Sequence, residues 1–329
     1  MALTDIDYKV CVRCFTYNQA GYIEDTMNSF CKQRTNFPFV CCIVDDCSTD
    51  GEQDVIYNYM LLYFEEPISD YQTEYGHVCV AKHKKNENCF FMFLALNKNR
   101  YGQYVKYDYI SEWRDKAIYE ACCEGDDYWL TDDKLQIQYN ALENNPDIDM
   151  CSCGTHCYRD GALICSFQPT DDERVLSLEE VILGGGEFVG TNSLMYRLSM
   201  FNTPYSFFKV MLLDYFLQIY GALRGGIYHI PNYMAAYRLS SNGSWSQSMG
   251  KCPDAYSDFL LRIISTLSVL DYETNYTHHD VIKKAEQKWL MSLYYSGFKC
   301  SFFNDNVRAL SLKARIKYLL VFLKKFFIS

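Results

Sequence analysis

Long uninterrupted apolar runs are missing from this 329-residue chain. No stretch reaches the roughly 18–20 apolar residues that a membrane-spanning helix needs. The opening "MALTDIDYKV" has neither a basic n-region nor an apolar h-region, so no secretory leader is expected. Basic charge is also short: 31 Lys and Arg stand against 41 Asp and Glu, a net charge of −10. Such a chain is not drawn as a whole to a nucleic-acid backbone, which excludes nucleic acid as a general partner. An anionic ligand must be held by local donors or by a metal. Repeated C-x-x-C units at zinc-site spacing are absent, and there is no internal repeat or low-complexity tract.

What is present is ordinary for a globular protein, with 49% apolar and 22% charged residues. The length suits one large domain with an appendage, or two modest domains. The 16 cysteines fall largely inside apolar runs, as in Cys11 and Cys14, Cys41 and Cys42, Cys122 and Cys123, Cys151 and Cys153. They read as small buried core residues with free thiols, in a reducing, cytoplasmic compartment.

The first half alternates apolar runs with helical patterns. "YKVCVRCF" (8–15), "FVCCIV" (39–44), "CFFMFLAL" (89–96) and "AIYEACC" (117–123) are strand candidates, although 89–96 also fits a helix. Helical stretches follow at 20–31 and 53–64. This βαβα rhythm predicts an open α/β sheet, whose ligands bind outside the carboxyl ends of the strands. Polar clusters lie there: Thr16-Tyr17-Asn18, Asp45-Asp46 and Glu124-Gly125-Asp126-Asp127. In the second half, 149–158, 191–197 and 227–239 read as extended, the last broken at Pro231. The segment 212–226 reads as a helix ending at a glycine pair, and the chain beyond about Cys252 as mostly helical.

Asp45-Asp46 is placed either to accept hydrogen bonds from a nucleobase or ribose, or to cap the turn "DDCSTDG". Asp126-Asp127 is either a solvated turn or a seat for Mn2+ or Mg2+, which prefer oxygen ligands completed by substrate phosphates. A cation would offset the repulsion among Glu124, Asp126 and Asp127. Tyr128 and Trp129 either stack on a sugar or pack.

Taken in order, "FTYNQAGYIEDTMNSFCKQ", "VDDCSTDG", "CEGDDYWLTDDKLQIQ" and "LLDYFLQIYGALRGGIYHIPNYMAAYR" resemble the family 2 inverting glycosyltransferases with the GT-A fold. The resemblance runs from about residue 8 to residue 246. It implies a Rossmann-like, mostly parallel central sheet with flanking helices, and a C-terminal helical extension. The glycosyltransferase domain would span 1–246, with a nucleotide-sugar half to about 130 and an acceptor half from 131. A mostly helical extension would follow at 247–329.

By the same resemblance Phe15, Thr16, Tyr17 and Asn18 line the nucleotide site. Asp46 contacts the base while Asp45 supports the turn, Asp126 and Asp127 hold Mn2+ or Mg2+ with Asp127 the first choice, and Asp214 is the catalytic base. The implied activity moves a sugar from a nucleotide-diphosphate donor, with UDP favoured, to a glycan or lipid-linked acceptor in surface-polysaccharide synthesis. Alternatives are a non-catalytic sugar-nucleotide-binding scaffold and a sugar nucleotidyltransferase. The latter normally needs a Gly-rich basic loop after the first strand, which "TYNQAGY" is not. Two departures stand out. Ser240 occupies the place where the family often carries a His after "YR", and the stretch between Tyr71 and Asp115 is longer than usual. His229 reads as a structural residue.

From Asn306 to Ser329 there are six basic residues and no acidic one, with Leu312, Ile316, Leu319, Leu320, Leu323 and Phe327 at helical spacing. A basic amphipathic helix fits peripheral contact with the inner face of an anionic membrane. It equally fits packing on the domain or on a second subunit as a homodimer.

Overall fold

The strand Val10–Thr16 (β1) lies at the centre of a sheet in a computed structural model that describes residues 6–103, 106–211, 213–239 and 253–295. Its neighbours Phe39–Asp45 (β2) and Tyr119–Cys122 (β6) run parallel to it, and Cys89–Leu96 (β5) runs parallel to β2. The run 89–96 is therefore a strand. Its apolar residues are buried on both faces of the sheet, as parallel strands require. Helices Ile23–Cys31 (α1) and Glu52–Tyr63 (α2) make the crossovers.

Successive side chains of β1 point to opposite faces, and each face has its own cover. Val10, Val12 and Cys14 pack with Ile23, Met27 and Phe30 of α1. Cys11 packs with Val40, Val44, Ile110 and Trp113, the last two from Lys106–Arg114 (α3). Phe30 is fully buried, with ring contacts to Phe91 at 6.3 Å and Trp129 at 4.9 Å. Truncating such a phenylalanine to alanine costs about 3–5 kcal/mol.

The long stretch after Tyr71 extends the sheet. Ser69–Gln72 (β3) and Gly76–Lys82 (β4) form a hairpin whose second strand pairs antiparallel with β5. On the other flank Met195–Arg197 (β11) sits antiparallel between β6 and Met150–Arg159 (β8), and Ile227–Arg238 (β12) runs parallel to β8. Tyr128–Trp129 (β7) and Arg174–Leu176 (β10) pair with β12, and Ala162–Phe167 (β9) pairs with β8. The sheet is thus mixed rather than mostly parallel. Parallel pairing is confined to β6-β1-β2-β5 and to β8-β12, and β4, β7, β9, β10 and β11 run against these strands. Pro231 does not end β12: the strand continues through register shifts between Ile230 and Ala235, the standard accommodation of a residue without an N–H.

The remaining helices are Lys134–Asn144 (α4), Leu178–Gly184 (α5), Ser206–Val210 (α6), Asp214–Ala222 (α7), Pro253–Glu273 (α8) and His279–Tyr295 (α9). The chain divides into two compact units. One holds the whole sheet, and the other combines 179–185 and 203–220 with the described helices α8 and α9. The second unit is therefore not the contiguous extension 247–329, because two earlier segments belong to it. Inside it Glu273 accepts the backbone N–H groups of Ser206 and Phe207, at 2.7 and 3.0 Å. No described helix is long and apolar enough to cross a membrane. The basic tail from Asn306 and Ser240 lie outside the described residues. All 14 described cysteines are free, and burial pushes thiols such as Cys41 up to about 12.

Candidate active site

The register Thr16↔Asp45 aligns the carboxyl ends of β1 and β2, and the loops beyond them are stitched together. Asn18 adopts a left-handed conformation (φ 54°), which asparagine tolerates better than most residues. From there its N–H donates to Ser48 Oγ at 2.8 Å and its Oδ1 accepts the Thr49 N–H at 2.8 Å. Phe15 meets Tyr107 edge-on at 5.4 Å, Thr16 is buried, and the Tyr17 ring is exposed.

The two carboxylates after β2 differ. Asp45 is fully buried; its Oδ1 accepts from the Ser48 N–H (3.0 Å) and Gln53 Nε2 (2.5 Å). Its Oδ2 has no hydrogen-bond partner among the described residues. Asp46 is also buried, but both oxygens are held: Oδ1 by the Arg100 N–H and Oδ2 by Lys106 Nζ, each at 2.6 Å. The sequence assigned base contact to Asp46 and turn support to Asp45. In the fold Asp46 is braced by protein groups, and the unpartnered acceptor belongs to Asp45.

The acidic loop after β6 is seated by Gly125. A Cβ there would stand 2.1 Å from Thr16 Oγ1 and 2.6 Å from Gln19 Oε1, so only glycine lets the loop approach the end of β1 this closely. Thr26 of α1 holds the loop, its hydroxyl lying 2.9 Å from the Gly125 carbonyl and 2.5 Å from the Asp127 carbonyl and able to donate to one of them. Asp127 points inward. Its Oδ1 accepts the Arg238 N–H at 2.9 Å and its Oδ2 accepts from Asn192 Nδ2 at 3.1 Å. Burial, with Asp126 beside it, holds its carboxyl well above the usual carboxylate range. The preferred metal ligand read from the sequence is therefore built into the loop's foundation. Glu124, unassigned from the sequence, is about one-third exposed and is gripped by Arg13 Nη1 at 2.9 Å.

Among the described residues no three or more His, Cys, Asp or Glu side chains form a group that could hold a metal ion. The donor set still fits one kind of site. Mn2+ and Mg2+ are commonly bound by one or two carboxylates, with water and substrate phosphates completing the shell. Glu124 and Asp126 supply that much.

Asp214 is the exposed first residue of α7 and belongs to the second unit. His229 is fully buried, with Nδ1 2.9 Å from Ser152 Oγ, and burial pushes it down to about 4. It is a neutral core residue, as read from the sequence.

Sequence reasoning missed Glu52, Arg13, Glu120, Asn192 and Arg238. The first is a buried carboxylate beneath Thr16. Arg13 and Glu120 did leave a signal, a lone charge inside each of the apolar strands "VCVRCF" and "YEACC".

Residues 12–164 match the model of the family described as Glycosyl transferase family 2. Over 236 residues the chain is 31% identical to uncharacterized protein Mb1547 of Mycobacterium bovis and to uncharacterized protein Rv1520 of Mycobacterium tuberculosis. Each alignment covers 70% of this chain and 58% of the relative, so the chain spans less than two thirds of these relatives' length. Among solved structures it resembles S. aureus TarS 1–349 in complex with UDP-GlcNAc, with TM-score 0.58 and 16% identity over 94% of this chain and 79% of that one. It also resembles the mannosyltransferase PcManGT from Pyrobaculum calidifontis in complex with GDP-Man and Mn2+, with TM-score 0.51 and 11% identity over 99% and 82%. Residues 12–164 thus match glycosyltransferase family 2, and the mixed α/β sheet with its flanking helices is similar to that of GT-A glycosyltransferases.

Proposed function

We propose that this protein is an inverting glycosyltransferase that moves a sugar from a nucleoside-diphosphate donor to a hydroxyl of a glycan or lipid-linked acceptor. The observation that carries the reading is the Gly125 contact. It holds the acidic loop against Thr16 at the end of β1, and Asp45, paired with Thr16 at the end of β2, has a buried carboxylate oxygen without a partner among the described residues.

Asp45 Oδ2 is an acceptor only, suited to an imide or amide N–H on the edge of a uracil or guanine base. Leaving such an oxygen buried and unpaired costs about 1–3 kcal/mol, which a base N–H would recover. Tyr17 presents an exposed ring on the loop beyond β1, and Asn18 fixes that loop. UDP is the favoured carrier, supported by the likeness to TarS with UDP-GlcNAc; the likeness to a GDP-Man enzyme keeps guanine in the test.

Glu124 and Asp126 are the residues assigned to hold Mn2+ or Mg2+, with Asp127 anchoring the loop beneath them. When bound, the cation neutralises charge on the departing diphosphate. Asp214 takes the proton of the acceptor hydroxyl as it attacks the anomeric carbon, which is general-base catalysis. A single displacement with no covalent sugar–enzyme intermediate inverts that carbon. Orientation of donor and acceptor supplies much of the remaining acceleration. The acceptor class rests on the family resemblance and on the basic tail.

The test is turnover of a panel of UDP, GDP and dTDP sugars, with and without Mn2+, by wild type and Asp214→Asn. Wild type should consume at least one donor, and Asp214→Asn should lose transfer while still binding the nucleotide. An Asp214→Asn enzyme of near-full activity would remove the base assignment. A wild type that binds nucleotide sugars without turning any over would favour a binding scaffold.

A further inference from the structure

Arg13 lies in mid-strand β1 with its side chain about 4% exposed, a costly place for a charge unless every donor is used. Every edge of its guanidinium is engaged. Nε donates to Glu120 Oε1 at 3.1 Å, Nη1 to Glu124 Oε1 at 2.9 Å, and Nη2 meets Cys122 Sγ at 3.0 Å. Glu120 is fully buried and is held by three groups: Arg13 and the Tyr196 hydroxyl on Oε1, and Arg114 Nε on Oε2 at 2.5 Å. Two arginines and two glutamates thus form a charge-balanced chain from Arg114 on α3 to Glu124 at the mouth of the site. Lys106, at the other end of the same helix, holds Asp46 at 2.6 Å. The long stretch after Tyr71 therefore contributes a helix that touches Asp46 through Lys106 and is linked to Glu124 through Arg114, Glu120 and Arg13.

We propose that Arg13 is a positioning residue for the donor diphosphate: braced by Glu120 and Arg114 of helix α3, it fixes the Glu124 carboxylate in the orientation that receives the metal–diphosphate group. This rests on the glycosyltransferase reading and assigns a task to a residue outside the recognised motifs. The geometry favours positioning over plain stability. A buried ion pair alone would close on Glu120; instead Arg13 spends a second donor on a carboxylate that is one-third exposed. Only a planar fork can serve both carboxylates at once, and a lysine ammonium in the same place cannot reproduce it.

Removing Arg13 alone leaves Glu120 with less compensation in the core, and that variant can fail to fold. The test therefore uses Arg13→Met combined with Glu120→Gln, which removes the buried pair and leaves the partly exposed Arg114 guanidinium to solvent and to Asp115 at 4.0 Å, and separately Arg13→Lys. Titration calorimetry with Mn2+ compares the nucleoside diphosphate that wild type binds most tightly (from UDP, GDP and dTDP) with its monophosphate. The double variant should bind the diphosphate about tenfold more weakly, the effect of one misplaced charged ligand, while monophosphate affinity stays within about twofold. Arg13→Lys should fall with the double variant in this ratio and not with wild type. Equal losses for diphosphate and monophosphate would make Arg13 merely structural, and no loss for either would overturn the brace. If wild type binds none of the three diphosphates, the glycosyltransferase reading fails and the brace fails with it.

Discussion

Replacing Glu52 by glutamine isolates one buried proton beneath the nucleotide loops. Glu52 is fully buried at the start of α2, where its Oε2 accepts the Gln19 N–H and the Ser48 hydroxyl, each at 2.9 Å. Its Oε1 lies against Thr16 Oγ1, which is also 2.7 Å from Gln19 Oε1. One hydroxyl has one hydrogen, so Thr16 can donate to only one of these oxygens. A protonated Glu52 resolves the conflict by donating to Thr16, which then donates to Gln19. Burial pushes this carboxyl up to about 7 from its ordinary 4.5, with the nearby Asp45 charge adding to the shift.

The folded-state pKa is raised, so the unfolded chain releases a proton between about pH 4.5 and 7 that the folded chain keeps. The contribution to stability is complete below pH 4.5, falls as pH rises through about 7, and is flat above. At 1.36 kcal/mol per pKa unit the loss is on the order of 3 kcal/mol. Glutamine mimics the protonated acid, with Nε2 donating to Thr16 and Oε1 still accepting, and it does not titrate. Glu52→Gln should therefore gain stability relative to wild type, by about that amount, between roughly pH 5 and 8. His229 works in the opposite sense, losing stability as pH falls from 6.5 toward about 4, but it is present in both proteins and cancels. Urea denaturation across that range measures the difference. A difference that stays constant, or shrinks as pH rises, would refute the protonated Glu52.

Two further substitutions probe the acidic loop. Gly125→Ala drives a Cβ to 2.1 Å from Thr16 Oγ1, so the loop must lift. It should lose about 1–3 kcal/mol in denaturant melts and weaken nucleotide-diphosphate binding in calorimetry. Asp127→Asn keeps the shape but replaces one acceptor oxygen by a donor facing Arg238 N–H or Asn192 Nδ2. Thermal melts should show a loss of about 1–3 kcal/mol, the cost of an unsatisfied buried polar group.

The nucleotide half was legible because each signal there is local. "FVCCIV" is an apolar run long enough for one buried strand, and "DDCSTDG" supplies its turn; β2 and α2 follow directly. "CCEGDDYWL" was correctly placed at a strand end. Which of its carboxylates faces inward was not legible, because that depends on Thr26, Asn192 and Arg238, up to 111 residues away. The Arg13–Glu120 pair is separated by 107 residues, so sequence shows two odd charges and not their meeting. The hairpin of β3 and β4 was unreadable for another reason. "SDYQ" sits at the sheet edge with most of its side chains exposed, and lacks the apolar alternation that marks a half-buried strand. The mixed direction of the sheet escaped because β11 and β7 are too short to show a period.

The most direct test of the central claim is titration calorimetry of wild type and Asp126→Asn against UDP, GDP and dTDP, with and without Mn2+. The account predicts that wild type binds at least one diphosphate more tightly with Mn2+, and that Asp126→Asn loses this metal-dependent gain while keeping the metal-independent affinity. A wild type that binds none of them, or an Asp126→Asn variant whose Mn2+ dependence is unchanged, would contradict it.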